Sequence, residues 1–78
     1  KSVDVAIKFV RKLQAEIGRL REFPNIGAFP KDRMLLSAGY RYLVYDDYLT
    51  FYTIDENAKK VYILAVFNSK EDYTRVLL

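Results

Sequence analysis

Cysteine and histidine are both absent from this sequence of 78 residues. Their absence excludes disulfides, thiol chemistry, a histidine general base and the Cys and His sites typical of zinc. Only carboxylates, tyrosine, lysine and arginine remain for proton transfer, and we expect no metal ion or cofactor. No apolar run approaches the ~20 residues that a membrane-spanning helix needs, and no secretory signal is recognisable. We therefore expect a cytoplasmic protein without a membrane contact.

The chain is short and weakly basic. A domain of 78 residues buries only roughly 60 to 65% of its unfolded surface, so a partner is a reasonable expectation. The net charge of +3 lies in residues 1–22, an excess that permits contact with nucleic acid or an acidic protein but does not demand it. Because residue 1 is Lys and a helical pattern begins almost at once, we expect the natural protein to extend further at its N-terminus.

Three runs of β-branched and aromatic residues occupy the stretch 39–67. Short acidic or amide-rich turns separate them, which predicts an antiparallel meander. The last run, 61–67, is apolar at nearly every position and predicts a strand covered on both faces. The turn at Asp46-Asp47 is compatible with a loop of two or three residues, and the two loops place Arg41 on opposite faces of the next strand.

Helical patterns lie on either side of these strands. Apolar residues recur at helical spacing from Val3 to Leu20, with basic residues opposite, and Ser2 is the candidate N-cap. Pro24 forces this helix to stop near residue 22 or 23. A second, short helix over 70–77 is predicted to begin after Asn68 or Ser69 as its cap. Residues 33–37 predict a short strand instead.

The segment 23–30, which we call the connector, holds both prolines and one of the three glycines. It is too apolar to be a free linker. Asn25 and Gly27 are expected to supply its turn. We expect its large apolar side chains to pack across the end of the sheet: Phe23, Ile26 and Phe29.

Two groups of side chains are candidates for binding. The basic face of the first helix either tracks phosphates or an acidic partner, or is an ordinary solvated face; it consists of Lys8, Arg11, Lys12 and Arg19. The seven tyrosines either form a protein or base-stacking surface, or serve as ordinary strand residues.

Arg41 is the one charged side chain within the three long runs. It is either an edge charge that discourages aggregation or part of an anion site. The short C-terminal helix would bring Lys70, Tyr73 and Arg75 near it, unless these are simply exposed helix residues. The acidic pairs at 46–47 and 55–56 are expected to be turns, because they lack metal-ligand spacing.

The order and spacing of several motifs resemble the RelE/ParE family of toxins from bacterial type II toxin-antitoxin modules. The resemblance begins with the join formed by Leu20, Pro24 and Gly27. It continues through Gly39-Tyr40-Arg41-Tyr42-Leu43-Val44, the segments 48–55 and 61–66, and Lys70-Glu71-Asp72-Tyr73. Individually these motifs are loose, whereas together they cover nearly the whole chain.

The resemblance implies an α+β fold, in which a helical hairpin packs on a twisted antiparallel sheet. Family members usually have about 20 further N-terminal residues, in keeping with a compact domain of ~100 residues. The helix here would then be the second of the hairpin. It would pack on a sheet of three to four strands, with a short C-terminal helix, and residues 1–78 would form one toxin domain that lacks its first strand and helix.

The family divides by target, and the nuclease pattern is incomplete here. RelE-like members cut mRNA in the ribosome, whereas ParE-like members inhibit DNA gyrase. If this chain were such a metal-independent nuclease, Arg41 would hold phosphate, Lys70 would stabilise charge and Tyr73 would transfer a proton. When the strand 48–52 is laid on the nuclease strand, Leu49 stands at the catalytic Arg position; laying Gly39-Tyr40-Arg41 there recovers the Arg but leaves an extra strand.

We therefore expect a ParE-like toxin that inhibits growth by binding an essential target such as DNA gyrase, with a role in plasmid stabilisation. A cognate antitoxin would neutralise it and would mediate any contact with DNA. The toxin would form a homodimer, or a heterotetramer with the antitoxin. The expected partner-binding residues are Lys8, Arg11, Lys12, Arg19, Tyr48, Leu49 and Phe51. The alternatives are a ribosome-dependent endoribonuclease and a non-toxic antitoxin-binding module.

Overall fold

The structure is a computed structural model that describes residues 3–77. Helix α1 spans Val3–Gly18 and continues as a 3-10 turn over Arg19–Arg21. The remaining elements are α2 (Arg33–Ser37), β1 (Arg41–Tyr45), β2 (Tyr48–Asp55), β3 (Lys60–Asn68) and α3 (Tyr73–Leu77). They form the predicted α+β fold. The candidate N-cap Ser2 lies outside the described residues, in which no helix is long and apolar enough to cross a membrane.

The three strands form an antiparallel sheet in the order β1-β2-β3. Tyr45 pairs with Tyr48 and Arg41 with Tyr52, so the hairpin loop contains only Asp46 and Asp47. Asp46 has a φ of 55°, a left-handed conformation that aspartate adopts more readily than most residues. The register therefore decides the open question and places Arg41 on the same face as Tyr52.

The other face of the sheet holds the main hydrophobic cluster. Phe51 is fully buried there between Phe67 and Tyr73, with ring centroids 5.9 and 4.8 Å away. Leu35, also fully buried, belongs to the same cluster, and Tyr42 packs against it. Burial of such large rings supplies most of the stabilisation available to a domain of this size.

The predicted strand over 33–37 is wrong, because these residues form helix α2. The Asp32 carboxylate caps the helix by accepting hydrogen bonds from the backbone amides of Met34 and Leu35, at 2.9 and 3.1 Å. A run of three apolar residues does not distinguish a strand from one helical turn by its periodicity. The cap at Asp32 was the available signal for a helix start.

The prediction that 61–67 is covered on both faces is also wrong. Strand β3 pairs only with β2 in the sheet of residues 3–77, and four of its apolar side chains are 41 to 49% exposed: Tyr62, Ile63, Leu64 and Val66. Leu64 has no partner on β2, since Phe51 pairs with Ala65 and Tyr52 with Ile63. This bulge lies at the edge of the sheet, where bulges are common.

Helix α1 has the predicted apolar stripe, and the stripe is only partly covered. No residue of Val3–Gly18 is buried. Phe9 packs against the rings of Tyr45 and Tyr48, with centroids 5.8 and 5.1 Å away, whereas Ile7 and Val10 remain 43 and 48% exposed. Apolar surface is therefore open along the helix.

The C-terminal helix is shorter than the predicted 70–77, because α3 begins at Tyr73. Asn68 organises the turn before it: its side-chain oxygen accepts a hydrogen bond from the Lys70 amide at 3.0 Å, and its own amide donates to the Glu71 carboxylate at 2.8 Å. Asn68 thus ends β3 and shapes the turn, four residues before Asp72, where a cap of α3 would lie.

Candidate functional site

The connector, residues 23–30, is attached to the sheet along β1. The amide of Ala28 donates to the carbonyl of Tyr42 at 2.8 Å, and the amide of Tyr42 donates back at 2.9 Å. This single antiparallel bridge places the middle of the connector beside the first strand. The path of the connector is therefore set by the sheet.

Tyr52 holds the connector from beneath. Its hydroxyl donates to the carbonyl of Pro24 at 2.6 Å and accepts from the amide of Gly27 at 3.0 Å. Burial raises the pKa of the Tyr52 hydroxyl, while the Gly27 amide and the positive charge of Arg41 oppose this rise. A buried hydroxyl satisfied as both donor and acceptor is structurally valuable, because either partner would otherwise be left unpaired.

Gly27 is where the connector comes closest to this tyrosine. A Cβ added at Gly27 would lie 2.7 Å from Tyr52 Cε1 and closer still to its hydroxyl oxygen, well inside van der Waals contact. Leu20, in the middle of the 3-10 turn, is only 2% exposed. The motif of Leu20, Pro24 and Gly27 thus has a physical basis: a core anchor, a carbonyl acceptor and a residue without a side chain.

Arg41 holds the connector from the side. Its guanidinium donates to the carbonyls of Asn25 and Gly27, at 3.2 and 3.3 Å. The same guanidinium lies over the ring of Phe29, 4.2 Å from the centroid, a cation-π geometry. Arg41 is therefore used to fix the connector, a role that the sequence did not indicate.

The large apolar side chains of the connector do not pack across the end of the sheet, so that prediction is wrong. Phe23, Ile26 and Phe29 are 54, 41 and 58% exposed. The residues that face inward are small or compact, since Gly27 and Pro30 are the buried ones. The backbone lies so close to Tyr52 that the inner side leaves no room for a larger side chain.

The predicted catalytic residues are not gathered at one site. Arg41 is on the face of Tyr52, whereas Tyr73 packs on Phe51, and neighbouring strand residues point to opposite faces. Lys70 is exposed in the turn before α3. Within residues 3–77, no hydrogen bond, ion pair or ring contact joins any two of Arg41, Lys70 and Tyr73.

The predicted partner-binding residues fall into two groups. Lys8, Arg11, Lys12 and Arg19 are exposed, and only Arg19 forms an ion pair in the described chain, with Glu16 at 3.3 Å. Tyr48 packs against the tilted ring of Phe9, and Leu49 is partly buried against the core. Phe51 is fully buried, so its side chain stabilises the core and is not presented at the surface.

A groove of about 980 Å³ runs between the end of α1 and the β2-β3 hairpin. Its apolar lining includes Ile17, Leu20, Ile54, Val61 and Ile63. Charged residues also line it, namely Arg21, Glu56, Lys59 and Lys60, and it reaches the connector at Pro24 and Asn25. No linear motif in the sequence predicts this groove, because the residues that line it come from distant segments of the chain.

Comparison with known proteins agrees with this architecture. A family model described as the ParE toxin of the type II toxin-antitoxin system, parDE, matches residues 1–73. No curated protein and no solved structure matches the chain. The family implies an antitoxin as a partner. With the match covering almost the whole sequence, the chain belongs to the ParE toxin family of type II toxin-antitoxin systems.

Proposed function

We propose that this toxin inhibits growth by binding DNA gyrase in the cytoplasm, and that a cognate antitoxin neutralises it by occupying the groove between α1 and β3. The observation that carries a binding function is the placement of Arg41 and Tyr73 on opposite faces of the sheet. The basic face of α1, with Lys8, Arg11 and Lys12, remains a candidate surface for either partner.

The separation of Arg41 from Tyr73 favours binding over RNA cleavage. A nuclease must hold its cation and its proton donor around one phosphate, and a single misplaced donor typically costs about 3 kcal/mol of transition-state stabilisation. Here Arg41 is already bonded to two connector carbonyls. In the alignment that lays 48–52 on the nuclease strand, Leu49 stands at the catalytic Arg position and supplies no replacement charge.

The groove supports the proposed antitoxin contact through its shape and charge. Its lining combines apolar side chains with charged ones, and Arg21, Lys59 and Lys60 outnumber the one acidic residue, Glu56. Within residues 3–77 the outer edge of β3 pairs with no strand, so an extended segment can add to the sheet there. An antitoxin segment with alternating apolar side chains and flanking carboxylates fits this surface.

A supercoiling assay with purified gyrase tests the proposal. The toxin should inhibit supercoiling, and prior addition of the antitoxin should abolish the inhibition. Lys59→Glu combined with Lys60→Glu should weaken antitoxin binding by about tenfold, since charge reversal opposes an acidic segment. Absence of inhibition at micromolar toxin would count against gyrase as the target.

The alternatives have their own readouts. The variant Tyr73→Phe should inhibit gyrase as the parent does, because the substitution keeps the ring that packs on Phe51. A ribosome-dependent endoribonuclease would instead lose mRNA cleavage on programmed ribosomes with this variant. Expression without the antitoxin separates both activities from a non-toxic binding module, which would leave growth unchanged.

A further inference from the structure

The connector displays large apolar side chains on a fixed backbone, which is an unusual arrangement for a surface loop. Phe23, Ile26 and Phe29 are each more than 40% exposed within one stretch of seven residues. Single exposed apolar side chains are ordinary, whereas a cluster points to a contact with another molecule. The cluster is the outward side of the same segment that Tyr52 holds.

The connector is held in one conformation before any partner binds. Hydrogen bonds from Tyr52, Arg41 and Tyr42 fix the backbone between Pro24 and Ala28. A hydrogen bond within the connector, from the Ile26 amide to the Phe23 carbonyl at 3.2 Å, closes the turn. Binding through such a segment costs little conformational entropy, which is the usual source of affinity in a preorganised site.

The surroundings of the cluster are basic. Arg41 lies over the Phe29 ring, and the neighbouring charged residues along the chain are Arg21, Glu22, Lys31, Asp32 and Arg33. The Asp32 carboxylate is occupied by the cap of α2. Aromatic and arginine side chains together are the residue types that dominate binding energy in protein interfaces.

We propose that the connector is the surface with which this toxin contacts its target protein, and that the matching site on the target is an apolar pocket rimmed by carboxylates. This inference rests on the proposed function for the identity of the target. A protein is favoured over nucleic acid because Ile26 and Phe23 offer an aliphatic and an aromatic anchor for a pocket. The groove reaches the same segment at Pro24 and Asn25, so an antitoxin lying in the groove would obstruct the connector.

The test removes the two anchors that do not touch Arg41. The variant combines Phe23→Ser with Ile26→Ser, and the matched control combines Val44→Ser with Val76→Ser, whose side chains are 62 and 69% exposed outside the connector. We expect the connector variant to lose growth arrest and to need about tenfold more protein for half-inhibition of gyrase. The control should stay within about twofold of the parent. Thermal melting of both variants checks that they are folded.

A second variant tests the charged rim and does not depend on the apolar pair. Arg21→Glu lies at an exposed position of the 3-10 turn and should weaken gyrase inhibition most at low salt, where surface charges are least screened. Inhibition that Arg21→Glu leaves unchanged at low salt would overturn the carboxylate rim of the proposed pocket.

The outcomes separate the inference from the proposed function. If the parent inhibits gyrase and the connector variant inhibits it equally, the connector is not the target contact. If the parent arrests growth without inhibiting gyrase, the proposed target is wrong. The connector variant then decides the inference: loss of growth arrest supports it, and retained growth arrest overturns it. A parent that does not arrest growth overturns both. If the parent binds a mixed-sequence oligonucleotide and the connector variant does not, the proposal of a protein partner is overturned.

Discussion

The hydroxyl of Tyr52 lies 3.0 Å from the amide nitrogen of Gly27, and this hydrogen bond joins the middle of the sheet to the segment that follows the first helix. The two residues are 25 positions apart in the chain. The same hydroxyl donates to Pro24, so one buried side chain determines where the connector lies. Which connector side chains are exposed therefore depends on Tyr52, a buried residue of the sheet.

The substitution Gly27→Ala should destabilise the protein by about 1 to 3 kcal/mol, the usual cost of overpacking. The added Cβ would lie 2.7 Å from Tyr52 Cε1, and the ring is fully buried and cannot move aside freely. Urea unfolding followed by circular dichroism measures the change.

Gly18→Ala is the matched control for that substitution. Apart from its chain neighbours and the backbone of its own helix, the described chain has no atom within 4 Å of the added Cβ, and Gly18 has an ordinary helical φ of -61°. Alanine should therefore leave the free energy of unfolding unchanged or raise it by up to about 1 kcal/mol. Equal losses from both substitutions would show that packing against Tyr52 is not what requires glycine at position 27.

The substitution Tyr52→Phe should lower the free energy of unfolding by about 1 to 3 kcal/mol, because it leaves the buried Gly27 amide and the partly buried Pro24 carbonyl without their partner. The ring is retained, so the loss reports the hydroxyl alone. Tyr62→Phe, at a half-exposed position of β3, should have almost no effect in the same unfolding experiment. A Tyr52→Phe protein as stable as the parent would mean that water satisfies both connector groups.

Stability should decline at alkaline pH through Tyr52. Burial raises the pKa of its hydroxyl above the ordinary value of 10.0, so the folded protein holds this proton more tightly than the unfolded chain does. The resulting stabilisation is complete below the unfolded pKa and is lost as pH rises through the folded pKa. Urea unfolding from about pH 9 to about pH 11.5 should show that the free energy of unfolding of the parent declines. The decline should be smaller in Tyr52→Phe and as large as in the parent in Tyr62→Phe.

Arg41 and Phe29 should be energetically coupled. Arg41→Ala is expected to cost about 1 to 2 kcal/mol, since it removes two hydrogen bonds to connector carbonyls and the contact with the Phe29 ring. A double-mutant cycle with Phe29→Ala should give a coupling of about 0.5 to 1 kcal/mol. Arg21→Ala serves as an exposed arginine control. Zero coupling would mean that the stacked geometry contributes nothing to stability.

Much of the fold follows from short-range patterns. The alternation of β-branched and aromatic residues indicated the meander, and the apolar spacing indicated α1, because these periods are set by the geometry of each element alone. The resemblance to the toxin family likewise rests on motifs that are local in the chain. The error at 33–37 was local too: three apolar residues fit either structure, and the deciding cap was Asp32.

Tertiary structure decided the rest, because it depended on which distant segments meet. The register of the β1-β2 hairpin placed Arg41 beside Tyr52 and away from Tyr73, a choice that the two aspartates of the turn left open. The close approach of Gly27 to Tyr52 turned Phe23 and Ile26 outward, contrary to their hydrophobicity. The sequence by itself determined the long helix, the three-stranded meander and the family; only the packing of the connector on the sheet decided which of its side chains are exposed.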